Sequence, residues 1–373
     1  MIAFREMPDQ ETPGAIHGGA YWQSLVRSVE DYGRIVAADV NDAWYPPAPA
    51  VLKAIARWSR HSNHSPDTSC GSLARAVSKH FAISEDAVRI GAGASDLLHH
   101  FILSAVEPGD AVLTLSPSYA EYARVAKLAG ARVKRLRLDP ANGFETNPEQ
   151  ILSAAGKNTR LIALCNPNNP TGGVLSRSRM LALMRALPSR TFLLIDEAYI
   201  DFAPNGSVLA DAPLFPNVAV VRTFSKAHAM AGLRVGYAAL GSAARRRFDG
   251  RGRPPWPVNL LGLHAAEVAL AESDYVERRV AQSFALKAEL IARLNAPSLP
   301  SATHYFLLDL KCAGVSASRL LECLRSRNIF LRDFAGFSPG SRDRLHQRFV
   351  RITTQDRPGN RRIAGEINRI ISC

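Results

Sequence analysis

No stretch of this chain approaches the roughly 20 consecutive apolar residues that a membrane-spanning helix needs. Residues 1–14 carry neither the basic nor the apolar region of a secretory signal, so a cytoplasmic protein with no membrane partner is expected. Cysteine is scarce. The five residues, Cys70, Cys165, Cys312, Cys323 and Cys373, are an odd number with no CxxC or other metal-ligand spacing. A disulfide scaffold is therefore excluded, no metal ligand is assigned, and reduced, mostly buried thiols are expected. Internal repeats and low-complexity tracts are missing as well. Aromatic-basic interleaving and recognition-helix patterns are also lacking, which speaks against a nucleic-acid partner despite the basic balance of the chain.

What is present fits a globular enzyme. The 373 residues suggest about two domains, and 47% hydrophobic with 21% charged residues is ordinary for such a chain. The formal charge is +13, and Arg245, Arg246, Arg247, Arg251 and Arg253 cluster locally. That cluster reads as a solvated face or as a mouth attracting anionic ligands.

Strand and helix patterns alternate along most of the chain. Helices are expected over 21–37, 51–59, 71–80 and 97–105, and strands over 87–90, 111–115 and 131–138. Further helices follow over 148–155 and 176–186. The apolar runs at 160–165, 191–195 and 218–221 read as strands buried on both faces. Such alternation means βαβ units and a largely parallel sheet between helices, with ligands at the carboxyl ends of its strands. Beyond residue 260 come helices over 260–272 and 275–294. Strands over 302–310, 329–332 and 349–353, with helices over 317–327 and 357–371, suggest a smaller α+β domain. The expected division is 1–50 as an amino-terminal arm and part of the small domain, 51–270 as the large domain, and 271–373 as the small one.

Polar residues gather at the ends of these strands. The turn Gly91-Ala92-Gly93-Ala94-Ser95-Asp96 opens a helix, and free backbone N–H groups with the helix dipole favour a phosphate there. A dinucleotide fingerprint would need a third glycine, where Asp96 stands, and an acid after the next strand, which is missing. Lys226 follows Thr223 and Ser225 at the end of another strand and can form a Schiff base with a carbonyl, as pyridoxal 5'-phosphate (PLP) enzymes require. Asp196 would pair the pyridinium nitrogen of that cofactor. Tyr199 and Asn169 can reach its ring oxygen, and Tyr119 can stack on its face. Thr223, Ser225 and Arg234, with the glycine turn (Gly93, Ala94, Ser95), can hold its phosphate.

The runs Asn169-Pro170-Thr171-Gly172, Asp196-Glu197-Ala198-Tyr199 and Thr223-Phe224-Ser225-Lys226, with Arg234 beyond, resemble those of the class I/II, fold type I PLP-dependent aminotransferases. The resemblance covers nearly the whole chain. It implies that Lys226 is the Schiff-base lysine and that Ser95 joins the cofactor contacts. It matches Arg351 with the arginine that pairs the substrate carboxylate, and it implies a homodimer with shared sites. Two branches of the family are nearest. The loop 41–49, with Asn41, Tyr45, Pro47 and Pro49, is similar to that of histidinol-phosphate aminotransferases. His17-Gly18-Gly19, the run 120–124, the run 255–259 and Leu331-Arg332-Asp333 resemble threonine-phosphate decarboxylases. There the residues matching His17 and Arg332 face the substrate phosphate.

Several positions depart from both branches. Ser65 stands where a tyrosine that reaches the neighbouring subunit is usual, Ala43 and Ala92 replace asparagines, and His304 occupies another asparagine position. The segment 339–347 looks enlarged. The expected substrate is a small amino acid with a second, phosphate-like anion. The motifs favour decarboxylation slightly, with transamination of the histidinol-phosphate type as the alternative and a regulatory protein on the same fold as a reading of another class.

Overall fold

The computed structural model describes residues 18–19, 22–337 and 344–372. In chain order the strands are β1 (Val36–Ala38), β2 (Val88–Gly91), β3 (Ala111–Ser116), β4 (Arg132–Arg137), β5 (Thr159–Cys165) and β6 (Phe192–Asp196). They continue with β7 (Val218–Thr223), β8 (Gly236–Leu240), β9 (Tyr305–Asp309), β10 (Ile329–Asp333) and β11 (Phe349–Thr353).

Seven of them form one sheet in the order β2-β8-β7-β6-β5-β3-β4. From β7 to β4 neighbours run parallel, whereas β8 is antiparallel to both β7 and β2. The sequence pattern explains the parallel part: β6 and β7 are buried at every position, because helices cover both faces. Strand β8 was not foreseen from the sequence. Its short run follows the Arg234 turn directly and reads as a continuation of it, and only pairing with β7 and β2 makes it a strand.

A second sheet of four strands has the order β1-β10-β11-β9. Strand β1 pairs parallel with β10, joining residues 36–38 to 329–331. The helix expected over 21–37 is thus replaced by two short 3-10 turns, Gln23–Leu25 and Val29–Arg34, and by β1. The partner that draws this segment out of helix lies nearly 300 residues away in the chain. Apolar side chains of this sheet pack on the helices Ala317–Arg325 and Arg357–Ile371 and form a cluster separate from those of the large sheet. Among the described residues no helix is long and apolar enough to cross a membrane.

Between the two sheets lies a cavity of about 760 Å³. The carboxyl ends of β5, β6 and β7 form its floor, as the parallel arrangement requires, and residues from β10 and β11 form its roof.

Candidate active site

Lys226 lies just beyond β7 and opens into the cavity. Its Nζ donates to the Val40 carbonyl and to Asp42 Oδ1, both at 3.1 Å. At the end of the adjacent β6, Asp196 is 4% exposed and lines the same cavity. Its Oδ1 accepts from the Ala198 amide at 3.0 Å and its Oδ2 from the Tyr122 hydroxyl at 2.6 Å. Burial pushes its pKa up to about 6, and these two donors oppose that rise.

Tyr199 follows three residues later. Its hydroxyl oxygen accepts from Asn41 Nδ2 at 3.0 Å and from Asn169 Nδ2 at 3.4 Å. Burial raises its pKa further above the phenol range, so it stays protonated. Tyr119 also lines the cavity, edge-on to Tyr122 at 5.5 Å between ring centroids.

The glycine turn lies at the other end of the floor. Helix Gly93–Ala105 begins at Gly93 without a side-chain cap, and Ala94 and Ser95 in its first turn face the cavity. Gly93 has φ +83°, and a Cβ there would lie 2.7 Å from Arg234 Nη2. Only glycine admits both that backbone and that approach. Arg234 reaches Ser225 Oγ at 3.4 Å, and Ser225 accepts from the Thr223 hydroxyl at 2.9 Å. A guanidinium, two hydroxyls and uncapped helix N–H groups thus converge.

The roof carries two arginines. Arg332 on β10 and Arg351 on β11 stand directly opposite each other in the antiparallel register, and both line the cavity. Arg351 is buried, and its Nη1 and Nη2 donate to neutral acceptors, Asn169 Oδ1 at 2.7 Å and the Asp39 carbonyl at 2.5 Å. Its Nε is buried without a partner among the described residues. Burial lowers its pKa to about 10, which leaves it charged at neutral pH. Arg332 stacks on Phe337, 5.1 Å from the ring centroid.

A family comparison bears on this constellation. The model of the class I and II aminotransferases matches residues 36–367, which includes every one of these groups. The chain belongs to that family. A histidinol-phosphate aminotransferase of Halorubrum lacusprofundi is 29% identical over 354 residues, covering 93% of this chain and 94% of its own. The histidinol-phosphate aminotransferase of Sinorhizobium meliloti, solved in complex with pyridoxal-5'-phosphate, superposes with a TM-score of 0.82 at 29% identity, over 95% of this chain and 97% of its own. The L-threonine-O-3-phosphate decarboxylase of Porphyromonas gingivalis superposes with a TM-score of 0.77 at 25% identity, over 90% of this chain and 100% of its own.

This aminotransferase is an enzyme, and its cofactor is PLP. The residues present fit that group: a buried, aimed carboxylate at Asp196, a lysine amine opposite it, and an anion cradle that a Cβ at position 93 would fill. Of the expected contact residues, Ala94, Ser95, Tyr119, Asn169, Asp196, Tyr199, Thr223, Ser225, Lys226, Arg234, Arg332 and Arg351 line one cavity.

Other expectations need correction. Tyr45 does not enter the cavity. Its ring lies against Tyr275 and Arg279, and its hydroxyl donates to the Ala227 carbonyl at 2.9 Å. Asn41 acts one step removed, through Tyr199. His17 lies outside the described residues, as does most of the segment expected to be enlarged. Of the arginine cluster, Arg253 pairs with Asp96 at 2.7 Å beside the glycine turn, Arg245 pairs with Asp86 and Arg247 with Glu107, and none of the three lines the cavity.

Three residues escaped sequence reasoning. Asp42 meets Lys226 directly, Asp39 lends Arg351 its carbonyl, and Tyr122 holds Asp196. Tyr122 lies in the first turn of the helix Glu121–Leu128, three residues after Tyr119, and only the fold brings its ring edge-on to Tyr119. His304, flagged as unusual, is buried and stacked on Phe202 at 4.3 Å, with Nε2 3.1 Å from the Asn41 carbonyl and Nδ1 unpartnered.

Proposed function

We propose that this aminotransferase removes the amino group from a small primary amine bearing a phosphate, in the manner of histidinol-phosphate aminotransferase. The observation that carries this reading is the pair Arg332 and Arg351, directly opposed on neighbouring strands at the roof of the cavity. Two guanidinium groups side by side in one cavity suit a dianionic phosphate, which can accept forked hydrogen bonds from both. A preference for decarboxylation came from short motifs. The relatives matched over almost their full length support transamination better, and the decarboxylase is a structural neighbour of lower identity.

PLP, when bound, supplies the electron sink for the bond broken beside the substrate nitrogen. The chain supplies the rest. Lys226 holds the cofactor through its amine and carries the proton at the substrate carbon, with Asp42 and the Val40 carbonyl orienting Nζ. Asp196 would pair the ring nitrogen, Tyr119 would cover the ring, and Tyr199, set by Asn41 and Asn169, would donate to the ring oxygen. Thr223, Ser225, Arg234 and the turn from Gly93 to Ser95 hold the cofactor phosphate. A homodimer and a division at residues 50 and 270 belong to the same reading.

The test is to offer the holoenzyme histidinol phosphate, threonine phosphate and their unphosphorylated counterparts, measuring carbonyl product and carbon dioxide separately. Transamination yields a carbonyl product that needs an acceptor keto acid, fastest with a phosphorylated amine, and no carbon dioxide. Carbon dioxide released without an acceptor overturns this reading in favour of decarboxylation. Lys226→Ala is expected to abolish turnover and the visible absorption band of the holoenzyme.

A further inference from the structure

Asp196 presents a difficulty that its position alone does not resolve. It is almost fully buried at the end of an apolar strand, where burial favours the neutral acid. To pair a protonated ring nitrogen it must be an anion, and its second oxygen must be held so that the first is aimed. The Ala198 amide serves Oδ1. Oδ2 is served by Tyr122, whose hydroxyl donates at 2.6 Å across 74 residues of chain.

Tyr122 suits this work in three ways. It is 0% exposed, so water does not compete for its hydroxyl. Burial and the neighbouring Asp196 charge push its own pKa well above the phenol range, so it remains a donor at every working pH. It also lies in the first turn of helix Glu121–Leu128, and its ring meets that of Tyr119 edge to face. One helix start therefore sets both the ring that covers the cofactor and the donor behind the cofactor's acid. Cys165 also lies within reach of the Tyr122 hydroxyl; its own thiol donates to the Pro167 carbonyl at 3.1 Å and is kept neutral by burial.

We propose that Tyr122 is a positioning residue that keeps Asp196 ionised and aimed at the ring nitrogen of PLP. The inference rests on the assignment of Asp196 to that nitrogen, so the two are tested side by side. Tyr122→Phe preserves the ring and removes only the hydroxyl. A lost hydrogen bond to a buried charge corresponds to roughly a tenfold to hundredfold change in an equilibrium constant. Cofactor dissociation measured by absorbance should weaken by at least about tenfold on that scale. Without the hydroxyl, protonation of Asp196 becomes easier, so the acid limb of the kcat profile should move to higher pH.

Asp196→Asn should weaken cofactor binding further and remove the acid limb that protonation of Asp196 sets. Tyr122→His, which keeps a ring N–H, should recover part of the affinity and bring the limb back towards lower pH. Thermal unfolding of each apoprotein separates these effects from a packing defect. If Tyr122→Phe lowers only the unfolding midpoint and leaves cofactor affinity and the acid limb where they were, Tyr122 is merely structural and the inference fails. Should Asp196→Asn leave cofactor affinity unchanged, the assignment beneath it fails instead. If Tyr122→Phe does not fold, Tyr122→His decides: weaker cofactor binding with the acid limb at higher pH than in the unaltered protein supports the inference, and both unchanged overturn it.

Discussion

Burying the Arg351 guanidinium carries a desolvation cost. The group lies among neutral acceptors, and in the described contacts its Nε is unpartnered and no carboxylate accepts a hydrogen bond from it. Removing an ion from water into such a site costs several kcal/mol unless an opposite charge arrives, and here that charge is expected to come with the substrate. Arg351→Met, which fills a similar volume with apolar atoms, should therefore leave the apoprotein equally stable or more stable in urea unfolding. Its kcat/KM for a phosphorylated amine should fall by roughly 30-fold or more, the counterpart of about 2 kcal/mol or above for a buried charge pair. A variant that is less stable and still active would show Arg351 to be structural. Arg351→Lys keeps the charge and loses the fork, so it should recover little.

At the level of elements, the site depends on two strand ends being held in step. Asp196 closes β6 and Lys226 follows β7, and just behind them Glu197 and Arg222 form a buried ion pair at 2.9 Å. Glu197 also accepts from the Val208 amide at 2.7 Å and from the Ser207 hydroxyl at 3.0 Å. Three donors inside the protein serve its two oxygens, so losing Arg222 leaves a buried charge without its ion partner. Arg222→Met is expected to cost about 3–5 kcal/mol in denaturant unfolding, and Arg222→Met with Glu197→Gln should recover much of that loss. Non-recovery would mean that Arg222 acts through its stacking on Phe81 and not through the pair.

The segment Asp39 to Asp42 performs a related task across the two sheets. It leaves β1 of the small sheet, and in four residues it meets Arg351, Lys226, His304 and Tyr199. His304 stays neutral there, since burial lowers its pKa to about 3, and its ring fixes the Asn41 backbone whose side chain then fixes Tyr199.

For the whole molecule, the formal charge of +13 matters through its field. Much of the positive surface is tied into pairs such as Arg89–Asp249 and Arg177–Asp211, whereas Arg234, Arg332 and Arg351 converge on the cavity. A phosphorylated substrate should feel that potential at a distance. Raising salt from about 0.1 M to about 1 M shortens the screening length from about 10 Å to about 3 Å. Over that range KM for a phosphorylated amine should rise several-fold, and KM for its dephosphorylated counterpart should change much less. Equal sensitivity of the two would remove the charge field from the account of specificity.

The chain by itself determined the floor of the site. Asp196, Tyr199, Asn169, Lys226 and the Gly93 turn are legible because each directly ends or follows a buried strand, or opens a helix, and local patterning reveals such places. The helix 357–371 and the strand 349–353 were legible for the same reason. Tertiary structure alone decided the rest. Strand β1 exists because β10 accepts it, Tyr45 packs against Arg279 and Tyr275 outside the cavity, and Arg332 faces Arg351 because β10 and β11 pair in that register. Tyr122 meets Asp196 across 74 residues and His304 meets Asn41 across 263. Contacts of that kind leave no periodicity in a sequence, because the hydrogen bond is made by the fold's closure and not by neighbouring residues.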